Sequence, residues 1–311
     1  MFVVCGEALM DVFAQGDTKE GMTLDARVGG SPFNVAVGLA RMAQPVTFLG
    51  GISTGFLGDR LMRALRQEGV DTRCVQRIDA PTTLGLVGLD AHGVPSYAFY
   101  GEGAADRLLT VNVLNDVPEQ TRLLQFGSYA MVVEPTALTL RALIERTHER
   151  RAQLIAYDPN VRLNVEPSLD RWRETLAWML PRTQLLKVSE EDLGLLRPGS
   201  DPESLAREAL SKGVSMVVVT RGGLGALAWT ADGARAEVGA TPVRLVDTVG
   251  AGDTFQAALL TWLAEHDALS DMRLRALHAE ALHDALAFAS KAAALTCSRR
   301  GADLPRRAEL S

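Results

Sequence analysis

The chain of 311 residues is 47% hydrophobic and carries a formal net charge of −6 at pH 7. A chain of this length and composition can bury a substantial core, as one large α/β domain or as two smaller ones. The acidic balance argues against nucleic acid or an anionic membrane as a partner, because basic surfaces usually hold such partners. A small-molecule partner is therefore favoured.

The amino-terminal stretch "MFVVCGEALMD" has no basic region and reaches Gly6 and Glu7 too soon for a signal peptide. No apolar run approaches the roughly 18 residues of a membrane span. The three cysteines lie too far apart for a CxxC motif, and their odd number suits a reducing compartment. The sequence therefore predicts a cytoplasmic protein with no membrane partner.

Strand-like runs alternate with amphipathic segments along most of the chain. In chain order, strands are predicted at "FVV", "VTFLGG", "QLIAYD", "QLLKVS", "MVVVT" and "VRLVD". Helices are predicted at "SPFNVAVGLARM", with Ser31 as N-cap and Pro32 as first helical residue, and at "GDRLMRALRQEG". The alternation indicates an α/β fold with a mostly parallel sheet covered by helices on both faces.

Two regions break this alternation, at about residues 12–28 and 82–103. Both contain short alternating strands without intervening helices, and the second includes an Ala-His-Gly-Val turn at 91–94. We expect antiparallel strands that leave the main sheet as a small lid. Because no repeat or linker divides the chain, residues 1–311 are predicted to form a single domain.

Polar residues follow five of the predicted strands at their carboxyl ends. Ligands bind at that edge of an open parallel sheet, so these residues are expected to share one crevice. The alternative for any one of these residues is that it is polar only because the loop after a strand is exposed to solvent. The groups are Gly6, Glu7 and Asp11; Asp158, Asn160 and Arg162; Lys187 and Ser189; Thr220, Arg221, Gly222 and Gly223; and Asp247.

Two glycine-rich turns, "TRGGLG" at 220–225 and "TVGAGD" at 248–253, offer backbone N–H groups suited to phosphate oxygens. They favour a nucleotide ligand. The chain lacks the P-loop Gly-Lys-Ser/Thr, the Rossmann glycine fingerprint after the first strand, and the protein-kinase catalytic motifs. Phosphate charge is then expected to be met by helix N-termini, arginine and metal.

Asp253 stands where the second turn enters a helical pattern. A carboxylate at the start of a helix is most often a cap or a dipole partner. Beside a phosphate-binding turn it is also placed to accept a proton from an attacking hydroxyl, while the N–H groups stabilise the transferring phosphoryl group. The helix dipole is expected to keep Asp253 ionised near neutral pH.

The stretch "DTVGAGDTF" resembles the C-terminal signature of the PfkB, or ribokinase-like, family of carbohydrate kinases. "GGSPFNVAVGLARM" with "GDRLMRALRQEGVDT" resembles its N-terminal signature, and "DPNVR", "KVSEED" and "TRGGLGAL" extend the likeness over almost the whole chain. The resemblance implies a Rossmann-type αβα sandwich with a small β-sheet lid. It also implies sugar bound between the two, and ATP with Mg²⁺ on the core.

The resemblance implies roles for single residues. Asp253 is the expected catalytic base, the N–H groups of Gly250, Ala251 and Gly252 the anion hole, and Arg162 a contact of the substrate or the transferring phosphate. Besides Arg162 and Asp253, the expected sugar contacts are Asp11, Gly29, Gly30, Asn34 and Tyr100. Besides the anion hole, the expected nucleotide contacts are Lys187, Ser189, Thr220, Gly222, Gly223, Gly225, Ala289 and Ser290.

Metal sites are implied at two places. Asp247, Val249 and the loop near Gly301 resemble a monovalent-cation site, often for K⁺. Many members carry Asn-x-x-Glu where this chain has Ser189 and Asp192, which preserve a hydroxyl and an acid, and Asp192 is the candidate for holding Mg²⁺ through water. For the intervening Glu190 and Glu191, the preferred interpretation is the acidic first turn of a helix.

The segments "GEALMD", "GGSPFN" and "AFYGEGAADRLL" look most like fructokinases, although an arginine is common where Gly101 stands. The 2-keto-3-deoxygluconate kinases are the alternative, because they share the "GE" start, the lid and Asp-x-Asn-x-Arg. A catalytically idle sugar or nucleotide sensor is a third hypothesis, which the retention of Asp253 and Arg162 disfavours. The predicted activity is ATP-dependent phosphorylation of fructose at O6, in a homodimer that pairs through the lid.

Overall fold

A computed structural model describes residues 1–89, 95–150 and 153–310. Within these ranges the strands are β1 Phe2–Cys5, β2 Leu9–Asp17, β3 Met22–Gly29, β4 Val46–Ser53, β5 Val75–Ile78, β6 Leu84–Leu89, β7 Pro95–Tyr100, β8 Leu123–Gly127, β9 Leu154–Asp158, β10 Leu185–Ser189, β11 Met216–Thr220, β12 Ala226–Thr230 and β13 Arg235–Val238. The α-helices there are α1 Ser31–Arg41, α2 Phe56–Gln67, α3 Thr136–Arg150, α4 Leu169–Met179, α5 Glu190–Leu196, α6 Pro202–Ser211, α7 Ala251–Glu265, α8 Asp271–Arg275 and α9 Ala279–Cys297.

The large sheet has the strand order β13-β12-β11-β10-β9-β8-β1-β4-β5. From β11 to β5 every neighbouring pair is parallel, while β12 and β13 add antiparallel strands at one edge. Central strands such as β1 are buried throughout, as expected for a parallel sheet with both faces covered. The predicted α/β fold with a mostly parallel sheet is confirmed.

Apolar side chains fill the space on both faces of this sheet. Successive strand residues point to opposite faces, so Val218 belongs to the core that includes helices α1, α7 and α9, whereas Val217 and Val219 belong to the core that includes α3, α4, α5 and α6. The two cores fix the carboxyl ends of the parallel strands at one edge. Among the described residues, no helix is long and apolar enough to cross a membrane.

A second, smaller sheet has the order β3-β2-β6-β7 and stands apart from the large one. It confirms that strands in these two regions leave the main sheet. The pairs β2–β3 and β6–β7 are antiparallel, as expected, but β2 and β6 run parallel, with Met10 opposite Leu84. A parallel pair requires a long crossover, and the chain between β2 and β6 supplies one by passing through the core. The turn expected at 91–94 lies outside the described residues.

One predicted strand is wrong. The stretch "VRLVD" at 243–247 is irregular, and the side chains of Val243, Leu245 and Val246 are exposed. Its backbone is held instead by the carbonyl oxygen of Cys297, which accepts from the N–H of Val246 at 2.8 Å. A short apolar run favours an extended conformation, but a strand also needs a neighbouring edge to pair with, which the sequence pattern does not reveal.

Candidate active site

Asp253 lies in the first turn of α7 and is bonded across to α1. Its Oδ1 accepts from the Ser31 hydroxyl at 2.6 Å, and its Oδ2 accepts from Asn34 Nδ2 at 2.8 Å. Ser31 and Asn34 are three residues apart, so both face α7. The predicted N-cap was one residue late: Gly30 is the cap, and Ser31 is the first helical residue. The Ser31 hydroxyl therefore donates to the Asp253 carboxylate of α7 and does not cap its own helix.

The turn before α7 requires a glycine. Gly250 is the N-cap with a left-handed φ of 77°, and a Cβ there would lie 2.7 Å from the Cβ of Ala302. The Ala251 N–H donates to the Thr248 carbonyl at 3.2 Å. Among the described residues, the N–H groups of Gly250 and Gly252 have no partner, as is usual at a helix N-terminus. These donors are available to an anion.

The pKa of Asp253 is shifted upward, which is opposite to the shift that the helix dipole alone would produce. Burial raises the pKa of its carboxyl, and the hydrogen bonds from Ser31 and Asn34 together with the charges of Lys187 and Arg162 only partly oppose this. The helix dipole does not dominate, because desolvation of a carboxylate is the larger effect here. A raised pKa brings the group closer to the range in which a general base works near neutral pH.

Asp11 of β2 lies within electrostatic reach of Asp253. Burial, and then the charge of Asp253, raise its pKa to about 6, while the charge of Arg162 acts the other way. Gly29 gives the Asp11 carboxylate its space, because a Cβ at Gly29 would lie 2.1 Å from Asp11 Oδ2. Gly30 has a φ of 104° and approaches the Glu7 carbonyl oxygen closely. The structure thus brings the expected sugar residues Asp11, Gly29 and Gly30 together.

Tyr100 does not join this group. Asp11 and Phe99 both pair with Gly85, so both point to the same face of the small sheet. Tyr100 is the next residue along β7 and therefore points to the opposite face, where its side chain is 62% exposed. The strand period places Phe99, not Tyr100, beside Asp11, and the sugar contact expected of Tyr100 stays a prediction.

Arg162 is exposed and follows β9 in the loop that precedes α4. Its Nη1 donates to the Val161 carbonyl at 2.9 Å, and its positive charge acts to lower the pKa of Asp11, Asp253 and Glu7. The arginine therefore faces the acids of the site, as its predicted role near substrate or phosphate requires.

Lys187 and Asp158 form a buried ion pair at the carboxyl ends of β10 and β9. Lys187 Nζ lies 2.8 Å from Asp158 Oδ2, and both residues are buried. A Cβ added at Gly252 would lie 3.4 Å from Lys187 Nζ. The ammonium thus lies against the first turn of α7, which is consistent with the expected contact of Lys187 with nucleotide phosphates.

Ser189 and Asp192 have structural bonds of their own. Ser189 caps α5, where its hydroxyl accepts from the Asp192 N–H at 3.0 Å, and Asp192 Oδ1 accepts from the Val161 N–H at 3.0 Å. Glu190 and Glu191 lie exposed in the first turn of α5, which confirms the helical interpretation for both. The described residues contain no group of three or more His, Cys, Asp or Glu that could hold a metal ion. A Mg²⁺ ion here would need water and substrate oxygens, which is its usual coordination.

The residues of the expected monovalent-cation site come together around Asp247. Its Oδ1 accepts from the Val249 N–H at 3.1 Å, and its Oδ2 accepts from the Gly301 N–H at 2.8 Å. The carboxylate therefore ties the turn before α7 to the loop after α9. Each of its oxygens carries one backbone hydrogen bond and keeps a further lone pair, so a cation here would be held by the carboxylate together with carbonyl oxygens of the two loops.

The second glycine turn follows Thr220 at the end of β11. Gly222 and Gly225 have φ values of 52° and 94°, and a Cβ at Gly225 would lie 2.0 Å from the Val238 carbonyl oxygen. Gly222 and Gly223 are exposed, with open space where a side chain would stand. In α9, by contrast, Ala289 is fully buried in the core and Ser290 is 9% exposed. The structure therefore presents no Ala289 surface for a nucleotide contact.

Glu7 and Asp106 are buried acids for which the sequence indicated no individual chemical role. Glu7 is 1% exposed, and burial raises its pKa to about 8. Asp106 accepts from the Thr83 hydroxyl at 2.6 Å and from the Tyr129 hydroxyl at 2.8 Å. The position of Glu7 directly after a strand was the available signal, but nothing in the sequence shows that its carboxyl is enclosed.

Gly101 also gains an explanation. A Cβ at this position would lie 2.3 Å from an Nη atom of Arg107, whose guanidinium also lies 5.5 Å from the Tyr129 ring centroid. The arginine six residues along the chain therefore fills the space beside Gly101, and a side chain at 101 would require the Arg107 guanidinium to move.

The model for pfkB family carbohydrate kinases matches residues 1–308. The chain is 32% identical to a fructokinase of Rhizobium leguminosarum bv. trifolii, over 91% of this chain and 86% of that protein. It is 33% identical to probable fructokinase-6, chloroplastic, of Arabidopsis thaliana, over 97% of this chain and 78% of that protein.

Two solved structures are similar over 99% of this chain. A fructokinase with bound ATP from Xylella fastidiosa has a TM-score of 0.86 and 27% identity, with 96% of that chain covered. A fructokinase from Vibrio cholerae O395 in a fructose, ADP and calcium ion bound form has a TM-score of 0.81 and 26% identity, with 97% covered. Together with the family match, these likenesses show that the chain belongs to the pfkB family of carbohydrate kinases.

Proposed function

We propose that this chain is a fructokinase, which transfers the γ-phosphoryl group of ATP to O6 of fructose. The observation that carries the proposal is the position of Asp253, at the N-terminus of α7 and held by Ser31 and Asn34. Unpaired N–H groups lie on one side of it and Asp11 lies within electrostatic reach on the other. The relatives named above are fructokinases, which favours a hexose acceptor.

In the proposed reaction Asp253 accepts the proton of the sugar hydroxyl as its oxygen attacks the γ-phosphorus of ATP. The bond from that phosphorus to the β,γ-bridging oxygen breaks, and ADP leaves with the electron pair. The free N–H groups of Gly250 and Gly252, with the Lys187 ammonium, stabilise negative charge on the transferring group, and the Ala251 N–H joins them when it leaves the Thr248 carbonyl. Arg162 approaches the same oxygens from the loop after β9. Asp11 accepts hydrogen bonds from sugar hydroxyls.

The nucleotide is proposed to lie along the carboxyl ends of β10 and β11, on the exposed Gly222 and Gly223. When bound, Mg²⁺ would neutralise phosphate charge, held by phosphate oxygens and, through water, by the second oxygen of Asp192. K⁺ is the proposed ion near Asp247 and Val249. The open space above Gly222 and Gly223 supports a nucleotide that is held by backbone groups in a turn without the P-loop sequence.

The small sheet is proposed to act as the lid of a single domain spanning residues 1–311. Its face that carries Asp11 and Phe99 would cover the sugar and exclude water during transfer. Its edge strands β3 and β7 carry exposed apolar side chains, including Met22 and Leu24, which are 60% and 47% exposed. Unpaired edges of this kind favour association, and we propose a homodimer formed through the lid.

The test is an ADP-release assay with fructose and 2-keto-3-deoxygluconate side by side, on the wild type and on Asp253→Asn. We expect turnover with fructose, and a kcat at least ~100-fold lower in Asp253→Asn while sugar and ATP still bind. The matched control is Asp59→Asn, because Asp59 is an exposed acid in the first turn of α2 and should leave kcat unchanged.

Each other outcome decides against part of the proposal. Wild-type turnover by Asp253→Asn would remove Asp253 as the base. Turnover with 2-keto-3-deoxygluconate alone would reassign the substrate to an acid sugar. Binding of sugar and ATP without any ADP release by the wild type would make the chain a sensor.

A further inference from the structure

We propose that Asp158 is a positioning residue for phosphoryl transfer, which keeps the Lys187 ammonium charged and directed at the first turn of α7. The inference rests on the proposed function in one respect, namely that phosphate oxygens bind at that turn. It adds a role for Asp158 that the glycine turn and the base do not supply.

The pair is placed by the register of the large sheet. Leu186 of β10 is opposite Tyr157 of β9, so the next residues, Lys187 and Asp158, are neighbours across the parallel pair. Their side chains are 5% and 6% exposed, and the Nζ–Oδ2 distance is 2.8 Å. Among the described residues, Asp158 is the one hydrogen-bond partner of Lys187 Nζ. Two of the three N–H donors of the ammonium are therefore left for a ligand.

The ammonium faces the proposed phosphate site. Lys187 Nζ is the atom nearest to the Cβ position of Gly252, at 3.4 Å, and Gly252 itself is exposed. The N-terminus of a helix carries a partial positive charge, so an ammonium beside it is electrostatically unfavourable in the free protein. An anion bound between them would relieve that repulsion. The position of the Lys187 ammonium beside the N-terminus of α7 is therefore explained better by a phosphate ligand than by a gain in protein stability.

The bonding of Asp158 also argues against a purely structural role. Its Oδ1 is buried and has no hydrogen-bond partner among the described residues. A buried ion pair whose remaining lone pairs are unmet adds little to stability, because the desolvation of both charges offsets their attraction. The ion pair is therefore better explained by a functional role of the charged Lys187 than by a contribution to the stability of the fold.

The charge state of Lys187 depends on its surroundings. Burial acts to lower its pKa, and the charge and hydrogen bond of Asp158 are the largest opposing effect. The other acids that face it are Asp192 of α5 and Asp253 of α7, and the net result is a raised pKa. Without the Asp158 charge, burial is opposed only by these two. The pKa of Lys187 should then fall, and the ammonium should lose its proton as the pH rises.

The experiment is a double-mutant cycle on Asp158→Asn and Lys187→Met. At each pH from about 6 to about 9, kcat/KM for ATP and the affinity for a non-hydrolysable ATP analogue are expressed relative to wild type, so that titrations common to both proteins cancel. For Lys187→Met, kcat/KM for ATP should be ~100-fold below wild type at every pH, which is the scale of one lost donor to the transferring group. For Asp158→Asn, the ratio of kcat/KM to that of wild type should be near one at low pH and should fall by at least ~10-fold as the pH rises.

The double variant separates positioning from a direct role. If Asp158 acts through Lys187, adding Asp158→Asn to Lys187→Met should cause no further loss. The matched control is Glu145→Gln on α3, which removes the carboxylate from the 2.8 Å ion pair with Arg182 and should show no pH-dependent change. Additive losses, or an Asp158→Asn ratio that does not change with pH, would overturn the inference.

Two further arms keep the result interpretable. If Asp158→Asn does not fold, Asp158→Glu retains the negative charge and should give a ratio that is independent of pH, whereas a falling ratio contradicts the inference. If the wild type phosphorylates no sugar, the proposed function fails, and the cycle in analogue affinity still tests the link between Asp158 and Lys187.

Discussion

Gly252→Ala separates the chemistry of the turn before α7 from its stability. The new methyl group would stand in the first turn of the helix, exposed to solvent, with Lys187 Nζ at 3.4 Å as its one neighbour within 4 Å. That distance is an ordinary contact, so no strain is expected in the free protein. Because alanine loses less backbone entropy in a helix, the variant should be more stable by roughly 0.5–1 kcal/mol. The melting temperature should then rise by about 1–2 °C.

Activity should move in the opposite direction. The methyl group occupies the surface between the first-turn N–H groups and the Lys187 ammonium, which is where a phosphoryl oxygen must approach both. Loss of one such donor costs about 10²–10³ in kcat, or roughly 2.7–4 kcal/mol of transition-state stabilisation. That loss exceeds the gain in stability several-fold. The expected result is a more stable protein with very low kcat.

An ADP-release assay and a thermal melt on the same preparation measure both effects. Gly194→Ala is the matched control, because Gly194 is an exposed helical glycine in α5 with nothing within 4 Å of its Cβ position. It should gain similar stability and keep wild-type kcat. A Gly252→Ala enzyme that is stabilised but turns over within about 3-fold of wild type would refute an anion hole at this turn.

The remaining predictions concern pH and assembly. Glu7 keeps its proton up to about pH 8 in the folded state, whereas an unfolded glutamate ionises near 4.5, so the free energy of unfolding should fall as the pH rises between these values. Glu7→Gln cannot ionise and should remove about 5 kcal/mol of this loss, measured by urea unfolding at both ends of the range, and equal pH slopes in both proteins would contradict it. Sedimentation should give twice the 33.4 kDa chain mass for the wild type and one chain for Leu24→Lys on the edge strand β3, while a wild-type monomer would rule out the lid dimer.

The sequence predicted the parts of the fold that follow from local pattern. The parallel strands β1, β4, β9, β10 and β11 each combine a buried apolar run with a polar residue at the carboxyl end. The turn around Gly250 was likewise recognisable, because a left-handed residue before a helix demands glycine. These features depend on a few neighbouring residues, which is the range over which sequence patterns carry information.

The features that the sequence pattern did not reveal share a different origin. "VRLVD" has the composition of a strand but no edge to pair with. Tyr100 and Phe99 are adjacent aromatics, and only the register of β7 against β6 decides which of them shares a face with Asp11. Ala289 lies in a helix whose buried face is set by α7 and the sheet. Each property depends on a contact between segments far apart in sequence, and a one-residue change of register reverses it.

The bond between Ser31 and Asp253 joins the most distant parts of the site. Asp11 stands on the small sheet, and Asp253 on a helix of the large core, yet the proposed proton transfer requires their relative positions to be held closely. The connection is short: β3 ends at Gly29, Gly30 caps α1, and Ser31 donates directly to Asp253. Gly29 also adjoins the Asp11 carboxylate, so residues 29–31 touch both the proposed sugar contact Asp11 and the proposed base Asp253. The glycine pair is therefore required twice, once to admit the Asp11 carboxylate and once to turn the chain into the helix that orients Asp253.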